Sequence, residues 1–166
     1  CIRDSRNIAL IGNGDTLQVL DISTPSSPLL LGEIILSSNL NDISISGNYA
    51  YVLTRHSLAV VDITTLYNPT QAGSVDVPAW CNGMAVSSNY AYVAGDWSGL
   101  MIYDISTPAN PILVGTYSGE FGVRDVSIWG NYALIINNYS GGSNHQLRVI
   151  NVTTPSSPSL TGTCNG

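Results

Sequence analysis

The sequence predicts an all-β fold, a β-propeller of four four-stranded antiparallel blades. Three observations carry this. The phrase DISTPSSP at 21–28 returns as DITTLYNP at 62–69, DISTPANP at 104–111 and NVTTPSSP at 151–158. A short apolar run stands before each copy: TLQVL, SLAVV, GLMIY and QLRVI. A second phrase falls between the copies, as SGNYAYV at 46–52, SSNYAYV at 87–93 and WGNYALI at 129–135. Asp21 to Asp62 is 41 residues and Asp62 to Asp104 is 42, a period typical of a propeller blade. The ring is expected either to close with four blades or to form part of a larger propeller or assembly.

The chain reads as a single repeat domain, 1–166, with blades at about 1–36, 41–77, 83–118 and 123–164. Blade 2 shows the logic. NDISIS (41–46) alternates apolar and polar residues, as a half-buried strand does. YAYVLT (49–54) is rich in aromatic and β-branched residues, SLAVVDI (57–63) is a buried-looking run, and TQAGSVDV (70–77) is more polar. Short polar links join them, and Pro and Gly recur too often for a long helix. Blade 3 repeats the pattern, and blade 4 opens with VRDVSIW and carries extra length at NNYSGGSNH. Blade 1 has IALIGN, TLQVLDI and PLLLGEII, but its innermost strand is degenerate. Counting places Ile2 where Ile43, Met84 and Val126 stand, and Asp4 where Ile45, Val86 and Ile128 stand, with Arg3 and Arg6 beside it.

Certain residues recur at fixed places. Asp21, Asp62, Asp104 and Asn151 each precede a Ser/Thr-rich turn, and a glycine follows 11 residues later: Gly32, Gly73, Gly115 and Gly162. The expected role of the Asp/Asn set is an Asx turn rather than a ring of metal ligands. Asn48, Asn89 and Asn131 are expected in A–B turns, where Asn tolerates positive φ. Tyr49, Tyr51, Tyr90, Tyr92 and Tyr132 are expected to pack between blades.

These phrases resemble the LVIVD repeat family, whose name is its third-strand core. LAVVDI and LMIYDI match that core, DISTP with the following NPxxxG completes the phrase, and SGNYAYV is the family's A–B signature. The resemblance covers nearly the whole chain. It implies a propeller, commonly on exported or surface proteins of prokaryotes, and no fixed reaction. The sequence departs from it at the missing fourth SGN phrase and at Asn151.

Composition bounds the function. Net charge is −6 and all five basic residues are arginine, which argues against a nucleic-acid footprint. No apolar run is long enough to span a membrane as a helix. Low charge with abundant Asn, Ser, Thr and Gly suits an extracellular or cell-surface protein. The chain does not begin with Met, as expected of a processed or excised product. For the cysteines two readings stay open: a Cys1–Cys164 bridge stapling the ends and leaving Cys81 odd, or three free thiols. Asn138 and Asn151 fit the glycosylation pattern, but Asn151 also serves the turn.

No catalytic set, metal site or cofactor motif is evident, so the expectation is a non-enzyme without cofactors. The variation between copies falls in the B–C and D–A loops, which share one end of each blade, where binding is usually placed. The candidates there are Arg55, His56, Trp80, Asp96, Trp97, Glu120, Phe121, Arg124, Tyr139 and His145. Aromatics beside charged groups suit protein contact, or alternatively a glycan or small ligand. A structural or assembly role is expected as well, through protein partners or self-association, because repeats expose flanks unless a ring closes.

Overall fold

The computed structural model describes residues 2–3, 7–118, 122–138 and 145–165, with backbone alone at 2, 3, 138, 145 and 165. It forms four four-stranded antiparallel sheets, each in sequence order, with no helix among the described residues. The first sheet holds β1 (Ile2–Arg3), β2 (Ile8–Asn13), β3 (Thr16–Asp21) and β4 (Leu29–Ile35). The second holds β5 (Leu40–Ser46), β6 (Tyr49–Thr54), β7 (Ser57–Asp62) and β8 (Thr70–Asp76). The third holds β9 (Cys81–Ser87), β10 (Tyr90–Gly95), β11 (Gly99–Asp104) and β12 (Ile112–Tyr117). The fourth holds β13 (Val123–Trp129), β14 (Tyr132–Asn138), β15 (His145–Asn151) and β16 (Ser159–Asn165). This is the propeller-blade meander that the repeats predict.

The chain divides into two compact units, Cys1–Val77 with Pro108–Asn110, and Pro78–Thr107 with Pro111–Gly166. In the first, Leu17 and Val19 of one blade pack with Ala50, Val52, Ala59 and Val61 of the next. In the second, Leu100 and Ile102 pack with Ala133, Ile135 and Ile150 in the same way. Burying one such leucine contributes about 1.5–3 kcal/mol. Tyr51 and Tyr92 are buried, consistent with their expected packing role. Removal from water raises both phenols above the ordinary tyrosine value, with the neighbouring tyrosine of each strand adding to it.

The Asx-turn expectation holds at all four copies. The N–H groups of Ser23, Thr64, Ser106 and Thr153 donate to Oδ1 of Asp21, Asp62, Asp104 and Asn151 at 2.7, 2.8, 2.8 and 2.9 Å. The residue after each Asp or Asn also donates its N–H to an A–B turn asparagine: Ile22 to Asn7, Ile63 to Asn48, Ile105 to Asn89 and Val152 to Asn131. Asn7 is therefore the missing fourth member of the SGN series.

Two expectations are corrected. Positive φ does not fall on Asn48, Asn89 or Asn131 but one residue earlier, on Gly47 (59°), Ser88 (53°) and Gly130 (56°), whereas Asn7 itself takes it (58°). The two-residue hairpin needs its left-handed residue first, and Gly meets that need without a Cβ clash. In β1, Ile2 pairs with Leu10 and Arg3 with Ala9. Ile43 pairs with Val52, three residues into its strand, and Ile45 with Ala50. So Arg3, not Asp4, stands opposite the position facing Ile45. A one-residue difference in register exchanges the two faces of a strand. Asp4 and Arg6 lie outside the described residues.

The 11-residue Asp-to-Gly spacing has a physical reason. Each outer strand carries a bulge just before its glycine: Val19 pairs with Gly32 but Leu20 with Leu30, and Val60 pairs with Gly73 but Val61 with Gln71. The same shift occurs at Gly115 and Gly162. The glycine admits the backbone of a neighbouring turn. A Cβ on Gly32 would lie 2.5 Å from the Leu66 carbonyl oxygen, and one on Gly73 would lie 2.5 Å from that of Pro108. On Gly115 it would collide with the Pro155 carbonyl.

Three outcomes are expected. Gly73→Ala gains roughly 0.4–1 kcal/mol from a stiffer unfolded chain, but displacing a backbone carbonyl costs about 1–3 kcal/mol. Its denaturant midpoint should therefore fall, and an unchanged or higher midpoint would refute the contact. The turn bonds hold the Asp21, Asp62 and Asp104 carboxyls below their ordinary value, from the Ser23 backbone and hydroxyl for Asp21 and from Thr64 and Ser106 for the others. A lowered folded pKa contributes stability that is present above pH 3.8 and lost as pH falls through the lowered values. Asp62→Asn keeps the turn, as Asn151 does, and should lose less melting temperature than the parent between pH 6 and pH 2. Finally, burial pushes the Cys81 thiol up to about 11, and it donates to the Pro78 carbonyl at 3.1 Å. Its alkylation at pH 8 should be roughly a hundredfold slower in native protein than in denaturant, as read by mass spectrometry.

Candidate functional site

The loop ends of the first three blades are tied together by main-chain bonds. Leu36 N–H donates to the Asp15 carbonyl at 2.8 Å and Val77 N–H to that of His56 at 3.0 Å, joining outer-strand exits to B–C loops. Arg55 N–H reaches the Asn39 carbonyl at 3.0 Å, and Asp96 N–H reaches that of Trp80 at 3.2 Å. Trp80 thus occupies the place of Asn39, and the same framework presents a different side chain.

The predicted residues fall into separate groups. Arg55 and His56 are exposed in the first unit, at the β6–β7 turn. Beneath them Thr54 and Ser57 are buried, and Ser57 N–H donates to Thr54 Oγ1 at 3.0 Å while the two hydroxyls lie 2.9 Å apart. This network holds the tight turn from within. Trp80, Asp96, Trp97 and Arg124 lie in the second unit. Glu120, Phe121 and Tyr139 lie outside the described residues, and so does the side chain of His145. Cys1 does too, while Cys164 is exposed on β16.

Asp96 is the hub of the second group. Its carbonyl accepts from Gly122 N–H at 2.9 Å and Val123 N–H at 3.3 Å. Its carboxylate pairs with the Arg124 guanidinium, Oδ2 to Nη1 at 3.8 Å. Arg124 is the unpaired residue of a β-bulge, since Val123 pairs with Asn137 but Asp125 with Ile136. Bulges of this kind re-aim a side chain at the rim of a sheet. The pair is partly solvated, so it positions the loop and contributes little to stability. Trp97, next in chain, is 67% exposed, and Trp80 is 64% exposed.

Trp80 also has φ of 73°. A bulky residue in the left-handed region is strained. Its carbonyl, which accepts from both Asp96 N–H and the Asn82 side chain at 3.2 Å, fixes this conformation. Among the described residues no group of three His, Cys, Asp or Glu side chains could hold a metal ion.

One feature lies at the opposite, turn end, which sequence reasoning assigned to scaffold. A cleft of about 220 Å³ is lined by Ser87, Ser88, Tyr90, Gly130, Asn131 and Pro155, among others. Sequence reasoning passed over it because these phrases scarcely vary between copies. It is smaller than the roughly 300–1,000 Å³ usual for a ligand site.

Comparison with solved structures places the fold. A functionally unknown protein from Desulfotomaculum acetoxidans matches with TM-score 0.80 and 15% identity, over 98% of this chain and 54% of that one. Hydrazine synthase from Kuenenia stuttgartiensis matches at 0.72 and 20%, over 89% and 43%. The computationally designed Ika8 protein matches at 0.75 and 14%, over 99% and 47%. The chain thus spans about half the length of these matches, and at such identities the likeness is one of fold alone. Nothing among the curated proteins matches. The family model described as LVIVD repeat matches four times, at residues 3–35, 39–77, 81–119 and 122–166. With all four copies matched in register, the chain belongs to the LVIVD repeat family.

Proposed function

We propose that this chain is a non-catalytic extracellular or cell-surface propeller, serving as an assembly and protein-interaction module. Its contact face is the loop end of the second unit, centred on Trp80, Asp96, Trp97 and Arg124. The observation that carries this reading is Trp80, a large apolar side chain held exposed in a strained backbone conformation by two donors on its carbonyl, the Asp96 N–H and the Asn82 side chain. A strained conformation over-determined by its surroundings is characteristic of a functional position. Exposed tryptophan beside an Arg–Asp pair is the composition of an interface hot spot. Two exposed indoles beside a carboxylate also favour a second reading, a glycan as the partner, since indole faces stack on sugar rings. Low charge and the absence of lysine support an extracellular setting.

The test is capture from a secreted and cell-surface fraction and, in parallel, from a glycan array. Trp80→Ala and Trp97→Ala are each expected to weaken capture by about tenfold or more, with the β-sheet circular dichroism unchanged. Thr107→Ala, at the opposite end, should bind as the parent does. Equal loss in all three variants would overturn the assignment of the face. Exclusive binding on the array would select the glycan reading.

A further inference from the structure

The junctions inside each unit have two parts, an apolar face and a turn seated on a bulge glycine. The fourth blade carries both parts, and among the described residues no turn covers its glycine and its apolar face stays partly exposed. Ile136 and Leu147 are 45% and 37% exposed, whereas the equivalents of Leu147, at Leu17, Leu58 and Leu100, are all fully buried. Gly162 follows its bulge as the other three glycines do. Yet a Cβ there would meet nothing within 4 Å among the described residues.

The first blade carries the complementary part. Every residue of its turn, 23–28, is exposed, whereas at the position of Pro28 the other turns have Pro69 and Pro111 buried and Pro158 partly buried. Ile22 is only half-buried, whereas its equivalents Ile63, Ile105 and Val152 are buried. The turn is competent to dock, because residues 24–28 (TPSSP) are identical to 154–158, the turn that seats on Gly115. The surface thus has the shape of an internal junction, and the matching knob is encoded in the same chain.

We propose that Gly162 and the apolar face around Leu147 receive the 22–28 turn and the first-blade face of a second copy of this chain. This gives the assembly reading a defined partner and surface, and it rests on that reading. The contact is heterologous, and two copies can satisfy both ends by closing on each other. Their combined length is also close to that of the three solved chains named above, of which one copy covers 43–54%. The turn and Gly162 carry no charge, so neither repulsion nor desolvation of an ion opposes the seating of the turn on the glycine.

Light scattering on the purified chain over a concentration series tests this, with Gly162→Val as the decisive variant. Valine suits an extended strand and meets no described neighbour at 162, so the fold should persist by circular dichroism. It would block the seat of the turn. The parent is expected at a mass of at least two copies, and Gly162→Val at one. Pro25→Asp with Ile22→Asp, changed on the knob side, should give the same loss. A parent that stays at one copy at high concentration overturns the proposal, as does an assembly that survives Gly162→Val. Either failure leaves the Trp80 and Trp97 capture result standing, so the loop-face reading is judged separately.

Discussion

The approach of a turn's backbone onto a glycine at a β-bulge is the contact on which the blade packing depends. It occurs at Gly32, Gly73 and Gly115, and each glycine leaves room for a carbonyl where any other residue would place a methyl group. The turn must present that carbonyl at a fixed height. The Asx bond from the Asp or Asn side chain sets its start, and the bond to the A–B turn asparagine anchors its base. The repeated phrases are therefore parts of one device. Asp shapes the turn, Pro restricts its φ, the bulge displaces the outer strand, and Gly accepts the next turn. A change at any one of them removes the reason for the others.

With the backbone junction set in this way, the side chains between blades need only be apolar and of suitable volume. Leu17, Leu58 and Leu100 keep the same residue, while the position of Tyr51 holds Leu10, Tyr92 and Leu134 in the other blades. Such tolerance is expected where total volume and patterning are kept. It explains how solved structures at 14–20% identity share this fold. It also frees the opposite end of each blade. The loops there are held by main-chain bonds, so Asn39 and Trp80 occupy the same place with unrelated side chains.

The candidate site was partly legible. Trp80, Asp96, Trp97 and Arg124 stand out because they vary where the framework repeats, and three of them are linked through bonds at Asp96. The strain at Trp80 was not legible, because nothing in the letters Pro-Ala-Trp-Cys announces a left-handed tryptophan. It arises from the two donors on its carbonyl, one of them from a residue 16 positions away. The grouping of Arg55 and His56 apart from these residues also lay beyond the sequence, which ordered the loops without distances.

What the sequence determined by itself was everything with a local cause. The strands follow from alternation and β-branched content, and the turns follow from Asp, Asn, Gly and Pro at fixed offsets, whose bonds span two or three residues. Tertiary structure decided what depends on a partner distant in the chain. The register of β1 was misread by one residue, since counting along a repeat assumes a constant turn length and the pairing of Ile2 with Leu10 departs from it. The same physics separates the four glycines. All follow an Asp or Asn by 11 residues, and the sequence treats them alike. Only the fold shows that three are filled by a neighbouring turn and that Gly162 meets none among the described residues, because occupancy belongs to the packing of blades and not to any one of them.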